Sequence, residues 1–476
     1  MSLDWVGSPL TILALFMCAA LFEFGCERMG RGEFRRARAL VLWGVSMVFL
    51  LVRGDSFDIA GHGEPIARQM VSGAGDPVEF LSHLPFEGAF LFTIISLLVF
   101  FAGILFCPVA PLVRMRMSRV FLLQALVLGL AYTQTVGSFI IVGAALMLGF
   151  IASVRYHAHS LRDDHQGHLR AAAFTLYHSV ALLAIVTSLA LRGLQSYNLI
   201  VVSHNLWLLD ITCLCLAAAV IVGLFPFHGW VLPFLGSPRA TVFLPMLCIQ
   251  TGLLFFFRLY VPIVTHFHEI SILFVAVPVF GILYAALLFF GEQRLKRIPG
   301  YLYLSHVCLM AISAVGLGET GTTSSMLDGV NTLVATLGLM GVCALLTSRF
   351  GVRGVLVPTG LGSFFPEIAV CYLICVLSLV GFPGTLGFIE EEVLLGQGIG
   401  HHNFLVAVIA VAFTLNGFSS FRLFARIFLG QPVLGQDTET GLLMRERLII
   451  YLILAAIIFN GLAPSYIVDS LTAISS

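Results

Sequence analysis

Fourteen apolar runs follow one another from residue 8 to residue 464, and little polar chain separates them. They lie near 8–26, 38–52, 88–108, 117–134, 136–154, 171–190, 205–226, 240–262, 269–289, 301–318, 329–347, 367–388, 403–424 and 446–464. A membrane-spanning helix needs about 20 predominantly apolar residues. Fourteen of them consume most of a 476-residue chain, so no sizeable extramembrane domain fits. Asp, Glu, Lys and Arg make up 11% of the residues, against about 25% in a soluble domain, too few to cover a water-facing surface. The run at 38–52 is short and the pair meeting at residue 134 is barely separated, so thirteen to fifteen spans are compatible with the pattern. The expected fold is an all-α polytopic membrane protein, one membrane domain over residues 1–476.

The charges test that count. If the first span starts outside, loops after odd-numbered spans face the cytoplasm and hold 21 of the 25 basic residues. Only Arg53, Arg68, Arg192 and Arg258 fall at or near the other side, and Arg258 is expected to snorkel to the interface. Dropping one span from the middle would break the positive-inside rule in most loops. Both termini are then expected outward, in a bacterial inner membrane, with 53–87 as an outward loop containing a short surface helix near 62–72. Basic and acidic residues balance at 25 each, which argues against a nucleic-acid partner and leaves membrane lipids and other proteins. Lys296 is the only lysine. Ten Cys lie in or beside apolar runs and read as small core residues. No basic segment precedes the first apolar run, so no cleavable signal is expected.

An ionisable group in hydrocarbon is costly and usually faces a protein interior or a hydrated path. His228 follows Pro226, which must end or kink the seventh run, and reads either as an interfacial anchor or as a proton carrier. His306 lies five residues into the tenth run, either a carrier or a satisfied structural residue. Gly381-Phe-Pro-Gly384 interrupts the twelfth run and precedes Glu390, Glu391 and Glu392. Those three read either as acids partly buried beside a helix break or as the solvated end of a helix. Glu23, His178 and Asp210 are further polar positions within runs, with His204 near Asp210. Glu319 and Asp328 are expected to bracket the loop between the tenth and eleventh runs. Arg422 and Arg426 share a helical face, suited to an anchor or a partner contact. His157, His159, His165 and His168 surround Asp163 and Asp164 and read as a wetted loop. Iron–sulfur Cys spacing and a dinucleotide-binding Gly pattern are both missing, so no cofactor or metal is expected.

Three motifs resemble the antiporter-like membrane subunits of respiratory complex I and of the multi-subunit cation/proton antiporters. Pro226-Phe-His-Gly-Trp230 resembles the stretch after that family's seventh helix. Arg294-Leu-Lys-Arg-Ile-Pro-Gly-Tyr-Leu-Tyr-Leu-Ser-His306 matches another in spacing, and Gly381-Phe-Pro-Gly-Thr-Leu-Gly-Phe-Ile-Glu-Glu391 a third. Phe421-Arg-Leu-Phe-Ala-Arg-Ile-Phe-Leu-Gly430 and Leu462-Ala-Pro-Ser465 agree with its later helices. The resemblance covers about residues 85–470 and implies fourteen helices, and polar or Pro/Gly-broken positions at comparable places in spans 4–8 and 9–13 suggest two inverted five-helix repeats. These fall at 117–262 and 269–424, after helices at 1–110 and before a final helix at 446–464.

It also implies a midplane proton path through a Glu and several Lys. At those positions this chain has Ala144 or Ala145, Ile221, Gln250 and Thr336. Glu391 and His306 remain, with His228 close by, and Glu390 adjoins them. The implied function is a proton- or cation-translocating subunit of a membrane complex, working through a reduced His and Glu relay beside other membrane subunits and without a redox centre of its own. Two alternatives stand beside it. One is an energising subunit for inorganic-carbon (bicarbonate) uptake with one large cytoplasmic zinc protein. The other is a non-conducting structural subunit of a membrane oxidoreductase complex.

Overall fold

The computed structural model describes residues 9–28, 35–52, 89–106, 117–133, 135–160, 165–196, 204–235, 242–266, 271–316, 318–349, 360–398, 403–430 and 442–463. The 53–87 stretch, Cys107, Asp163 and Asp164 lie outside the described residues, as do the side chains of His157, His159, His165, His204 and Glu319.

Apolar sequence becomes helix because a backbone in lipid must satisfy its own hydrogen bonds. In chain order the helices are α1 (Pro9–Arg28), α2 (Arg35–Val52), α3 (Ala89–Phe106), α4 (Met117–Ala131), α5 (Val136–Ser160), α6 (His165–Ser196) and α7 (His204–Val222). Then come α8 (Val231–Leu235), α9 (Phe243–Phe255), α10 (Val261–His266), α11 (Ser271–Gly291), α12 (Ile298–Gly316) and α13 (Gly318–Arg349). The chain closes with α14 (Pro366–Leu379), α15 (Leu386–Gly398), α16 (Asn403–Phe428) and α17 (Met444–Leu462). Eight spans are long and apolar enough to cross a membrane, and four shorter apolar helices stand beside them among the described residues. The protein is an all-α, multi-pass membrane protein.

Two helices are interrupted where the sequence leaves no alternative. After α7, Gly223 takes φ +77° and Pro226 offers no N–H, so a short 3-10 turn (Phe227–Trp230) leads into α8. After α14, Gly381 and Gly384 take φ +76° and +89° around Pro383 before α15 begins. A five-residue π turn, Phe256–Tyr260, joins α9 to α10.

Burial sorts the helices into centre and rim. The α9–α10 span, α12 and α13 are 89%, 94% and 89% buried in protein, whereas α6 and α11 are 33% buried and leave large apolar side chains outward. α12 packs against α8, α10, α11, α13 and α16, and reaches the end of α14 through the hydrogen bond from His306 to the Leu379 carbonyl. The core runs continuously from Phe16 in α1 to Ile457 in α17.

Charges inside the bundle are paired, as burial demands. Glu23 in α1 takes Arg38 of α2 as a partner, and Asp210 in α7 accepts from Ser188 and Arg192 of α6. Arg258 does not snorkel. It is buried in the π turn and donates to the Leu130 and Ala131 carbonyls at 2.9 and 3.1 Å, to Thr133 Oγ1 at 3.0 Å, and to the Thr133 carbonyl. The C-terminus of α4 presents free carbonyls and negative dipole, which a guanidinium satisfies better than distant water does. Arg422 likewise turns inward, donating to the Phe290 and Glu292 carbonyls at the end of α11.

Candidate functional site

An interrupted helix leaves carbonyls that the next turn would have capped, and in a dry environment each needs a donor. At the first break, Trp230 Nε1 donates to the Val220 carbonyl at 2.9 Å and Tyr303 Oη donates to the Val222 carbonyl at 2.9 Å. An indole and a phenol thus close that break, with Ile221 fully buried between the two capped residues.

The second break is capped by different chemistry. His306, one turn beyond Tyr303 on α12, donates from Nε2 to the Leu379 carbonyl at 2.8 Å. Asn331 of α13 donates from Nδ2 to the Ser378 carbonyl at 3.0 Å, and Ser378 Oγ donates back to Asn331 Oδ1. The other imidazole nitrogen, Nδ1, lies 2.7 Å from Asp328 Oδ1, which also accepts from Thr332 Oγ1 at 2.8 Å.

Hydrogen bonding fixes the proton count of this pair. The Leu379 carbonyl only accepts, so Nε2 carries a hydrogen. The Nδ1–Oδ1 contact then requires one proton, on either atom. Imidazolium with carboxylate and imidazole with carboxylic acid are both neutral, and both keep every bond just described.

Glu390 completes the cluster. One donor atom each from His306, Asp328 and Glu390 lie within 4.8 Å of one another, and all three side chains are buried. Asp328 Oδ2 and Glu390 Oε2 accept from no N–H or hydroxyl donor, and the two carboxyls lie close enough to share a proton. Glu391 is half-buried within electrostatic reach of His306, and Glu392 is exposed. No Lys or Arg among the described residues pairs with His306, Asp328, Glu390 or Glu391.

The glycine pattern of this stretch follows from crowding. The Glu391 carboxylate occupies the place a Cβ on Gly381 would take, and the positive φ of Gly381 excludes most side chains anyway. A Cβ on Gly387 would collide with the Ser378 carbonyl and press on Asn331 Nδ2, so only glycine lets α15 return this close to the break.

The structure brings His306, Glu390 and Glu391 together and leaves the other sequence-selected residues elsewhere. His228 sits in the first break, stacked on Phe225 at 5.5 Å and edge-on to Tyr284 at 5.1 Å, with Nδ1 unpartnered. His178 stacks on Phe174 at 3.7 Å and donates from Nδ1 to the Phe174 carbonyl at 3.0 Å. Gln250 accepts from Ser96 at 2.7 Å, and Gln124 donates to the same Ser96 hydroxyl. Thr336 is buried with Oγ1 unpartnered. Glu23 and Asp210 are committed to their arginines.

Asp328 is the residue of this cluster that sequence reasoning placed wrongly. It does not bracket a loop. α13 begins at Gly318, eleven residues before the apolar run, and puts Asp328, Asn331 and Thr332 on one face at helical spacing. That spacing was the available signal.

Comparison with known proteins agrees with this architecture. NADH-quinone oxidoreductase subunit M of Rickettsia typhi is 26% identical over 260 residues, covering 53% of this chain and 52% of that protein. Its counterpart in Mycobacterium tuberculosis is 24% identical over 260 residues, covering 53% and 46%. The chain thus spans about half the length of the curated relatives it matches. Among solved structures, a chain of respiratory complex I from Thermus thermophilus superposes with TM-score 0.76 at 20% identity, covering 97% of this chain and 98% of that one. A chain of the archaeal membrane-bound sulfane sulfur reductase gives TM-score 0.77 at 16% identity, over 98% and 96%. One from the Mrp complex of Dietzia sp. DQ12-45-1b gives 0.75 at 16%, over 100% and 97%. At such identities these likenesses show the fold. Residues 93–416 match the family described as NADH:quinone oxidoreductase/Mrp antiporter, TM, and the chain belongs to it.

Proposed function

We propose that this chain is a proton-translocating subunit of a membrane complex related to complex I and the Mrp antiporters, and that its relay is confined to the second interrupted helix. The observation that carries this reading is the buried His306–Asp328 pair beside Glu390 and Glu391. Four titratable groups without a paired Lys or Arg must hold protons, because bare carboxylates in a low-dielectric interior are prohibitively costly.

In this reading Glu391, the half-buried member, receives a proton and passes it to the His306–Asp328 pair. The pair already holds one. A second leaves Nδ1 and Asp328 both protonated, and Asp328 Oδ2 can release its proton toward Glu390 Oε2. Each hop breaks one O–H or N–H bond and forms another, with no covalent intermediate. Partner membrane subunits would supply or use the free energy.

The first break contributes architecture. Its caps, Trp230 and Tyr303, do not change charge near neutral pH, and Ile221, Gln250 and Thr336 are neutral at or near the positions where the family resemblance implies a Lys or His. Fourteen spans in two inverted five-helix repeats, at 117–262 and 269–424, with both termini outward, complete the proposal. The asymmetry of basic loops supports that orientation.

Coupled proton flux in vesicles holding the assembled complex tests it. His306→Ala and Glu391→Gln are expected to lower flux at least about tenfold while the complex still assembles. Wild-type flux in both would reduce the chain to a structural subunit.

A further inference from the structure

The same buried cluster carries features of a metal site. His306, Asp328 and Glu390 each offer one donor atom, all within 4.8 Å of one another. A metal-ligating His almost always donates its other ring N–H to a carbonyl or carboxylate, which fixes the tautomer and aims the free nitrogen at the metal. His306 does this, with Nε2 held on the Leu379 carbonyl and Nδ1 aimed at the acids. Ligating carboxylates are themselves hydrogen-bonded, and Asp328 is, by Thr332. Asp328 Oδ2 and Glu390 Oε2 are buried and accept from no N–H or hydroxyl donor, so only a proton shared between the two carboxyls, or a cation, can satisfy them.

We infer that the space between His306 Nδ1, Asp328 and Glu390 binds a divalent transition metal of the zinc class, in competition with protons. An imidazole with two carboxylates suits zinc-class ions, whereas Mg²⁺ and Ca²⁺ prefer all-oxygen sites. Bonds of about 2.0–2.2 Å in a tetrahedral site put ligand atoms about 3.3–3.6 Å apart. The 2.7 Å His306–Asp328 contact would therefore open as the proton leaves, and the most distant pair, within 4.8 Å, would close by carboxylate rotation. One divalent cation replaces two protons in the charge balance. Bound metal would therefore occupy the relay and stop it, so the inhibitory consequence rests on the relay reading, while the binding itself does not.

The probe is Co²⁺, added to the full-length chain purified without a polyhistidine tag. His157, His159, His165 and His168 are replaced by Ala beforehand, because four histidines so close in sequence would bind metal adventitiously. One Co²⁺ per chain, with visible bands of a nitrogen–oxygen site and imidazole scattering in X-ray absorption, is the expected result. His306→Gln, Asp328→Asn and Glu390→Gln should each weaken binding about tenfold or more. Binding below one equivalent, or equal binding in variants that elute as folded protein, overturns the proposal. Flux measured on the same preparations separates the two readings. Lost flux in His306→Ala, together with no cobalt bound by the chain that keeps His306, removes the metal site and leaves the relay; cobalt bound by that chain, with flux unaffected by the variants, does the reverse.

Discussion

Tyr303 and His306 lie one turn apart on α12, yet each caps a freed carbonyl in a different interrupted helix, Val222 for the phenol and Leu379 for the imidazole. One helix thus closes one break with a phenol and the other with an imidazole, whose second nitrogen is free to take or give a proton. Function is assigned to the second break on that difference.

The phenol is expected to matter for stability alone. Tyr303→Phe leaves the Val222 carbonyl buried without its donor, which costs about 1–3 kcal/mol. Thermal unfolding in detergent should fall accordingly, and proton flux per folded complex should not change.

Two glycines separate backbone strain from collision. Gly381→Ala and Gly384→Ala both force a side chain into positive φ, costing about 1–2 kcal/mol each. Only the first also displaces the Glu391 carboxylate, since a Cβ on Gly384 meets nothing within 4 Å. Flux should therefore drop to the level of Glu391→Gln in Gly381→Ala and stay near wild type in Gly384→Ala.

A double-mutant cycle between His306 and Asp328 reads their direct interaction. Paired polar groups between membrane helices are coupled by about 0.6–2 kcal/mol. His306→Ala, Asp328→Ala and the double variant, compared by reversible unfolding in mixed micelles, should give a coupling in that range. Additive effects would mean that the pair makes no bond in the membrane.

Arg258 supplies a purely architectural counterpart. Arg258→Ala strips donors from the end of α4 and should destabilise by about 2 kcal/mol or more, with unchanged flux in the protein that folds. The expected signature is reduced yield and faster proteolysis near residue 134.

Helix positions were legible because apolar length maps directly onto helix in lipid. The glycine–proline breaks were equally plain, since Gly223, Pro226, Gly381 and Pro383 restrict backbone whatever surrounds them. His306, Glu390 and Glu391 stood out as ionisable residues in apolar surroundings. Asp328 did not, because Gly318, Glu319 and the polar residues from Thr322 to Ser325 disguise the first turns of α13 as a loop. Arg258 looked like an interface residue because hydropathy shows depth along a span and not which neighbour offers bare carbonyls. Pairing across elements, such as Tyr303 with Val222, is a property of packing that no local pattern contains.

Proton uptake into vesicles under an imposed pH gradient, comparing the complex with Asp328→Asn against that with Trp230→Phe, tests the central claim most directly. The account predicts that Asp328→Asn, which keeps the shape and removes the acid, loses at least about tenfold in rate, whereas Trp230→Phe at the first break stays within about twofold of wild type. Equal rates for wild type and Asp328→Asn, or a collapse in Trp230→Phe alone, would contradict it.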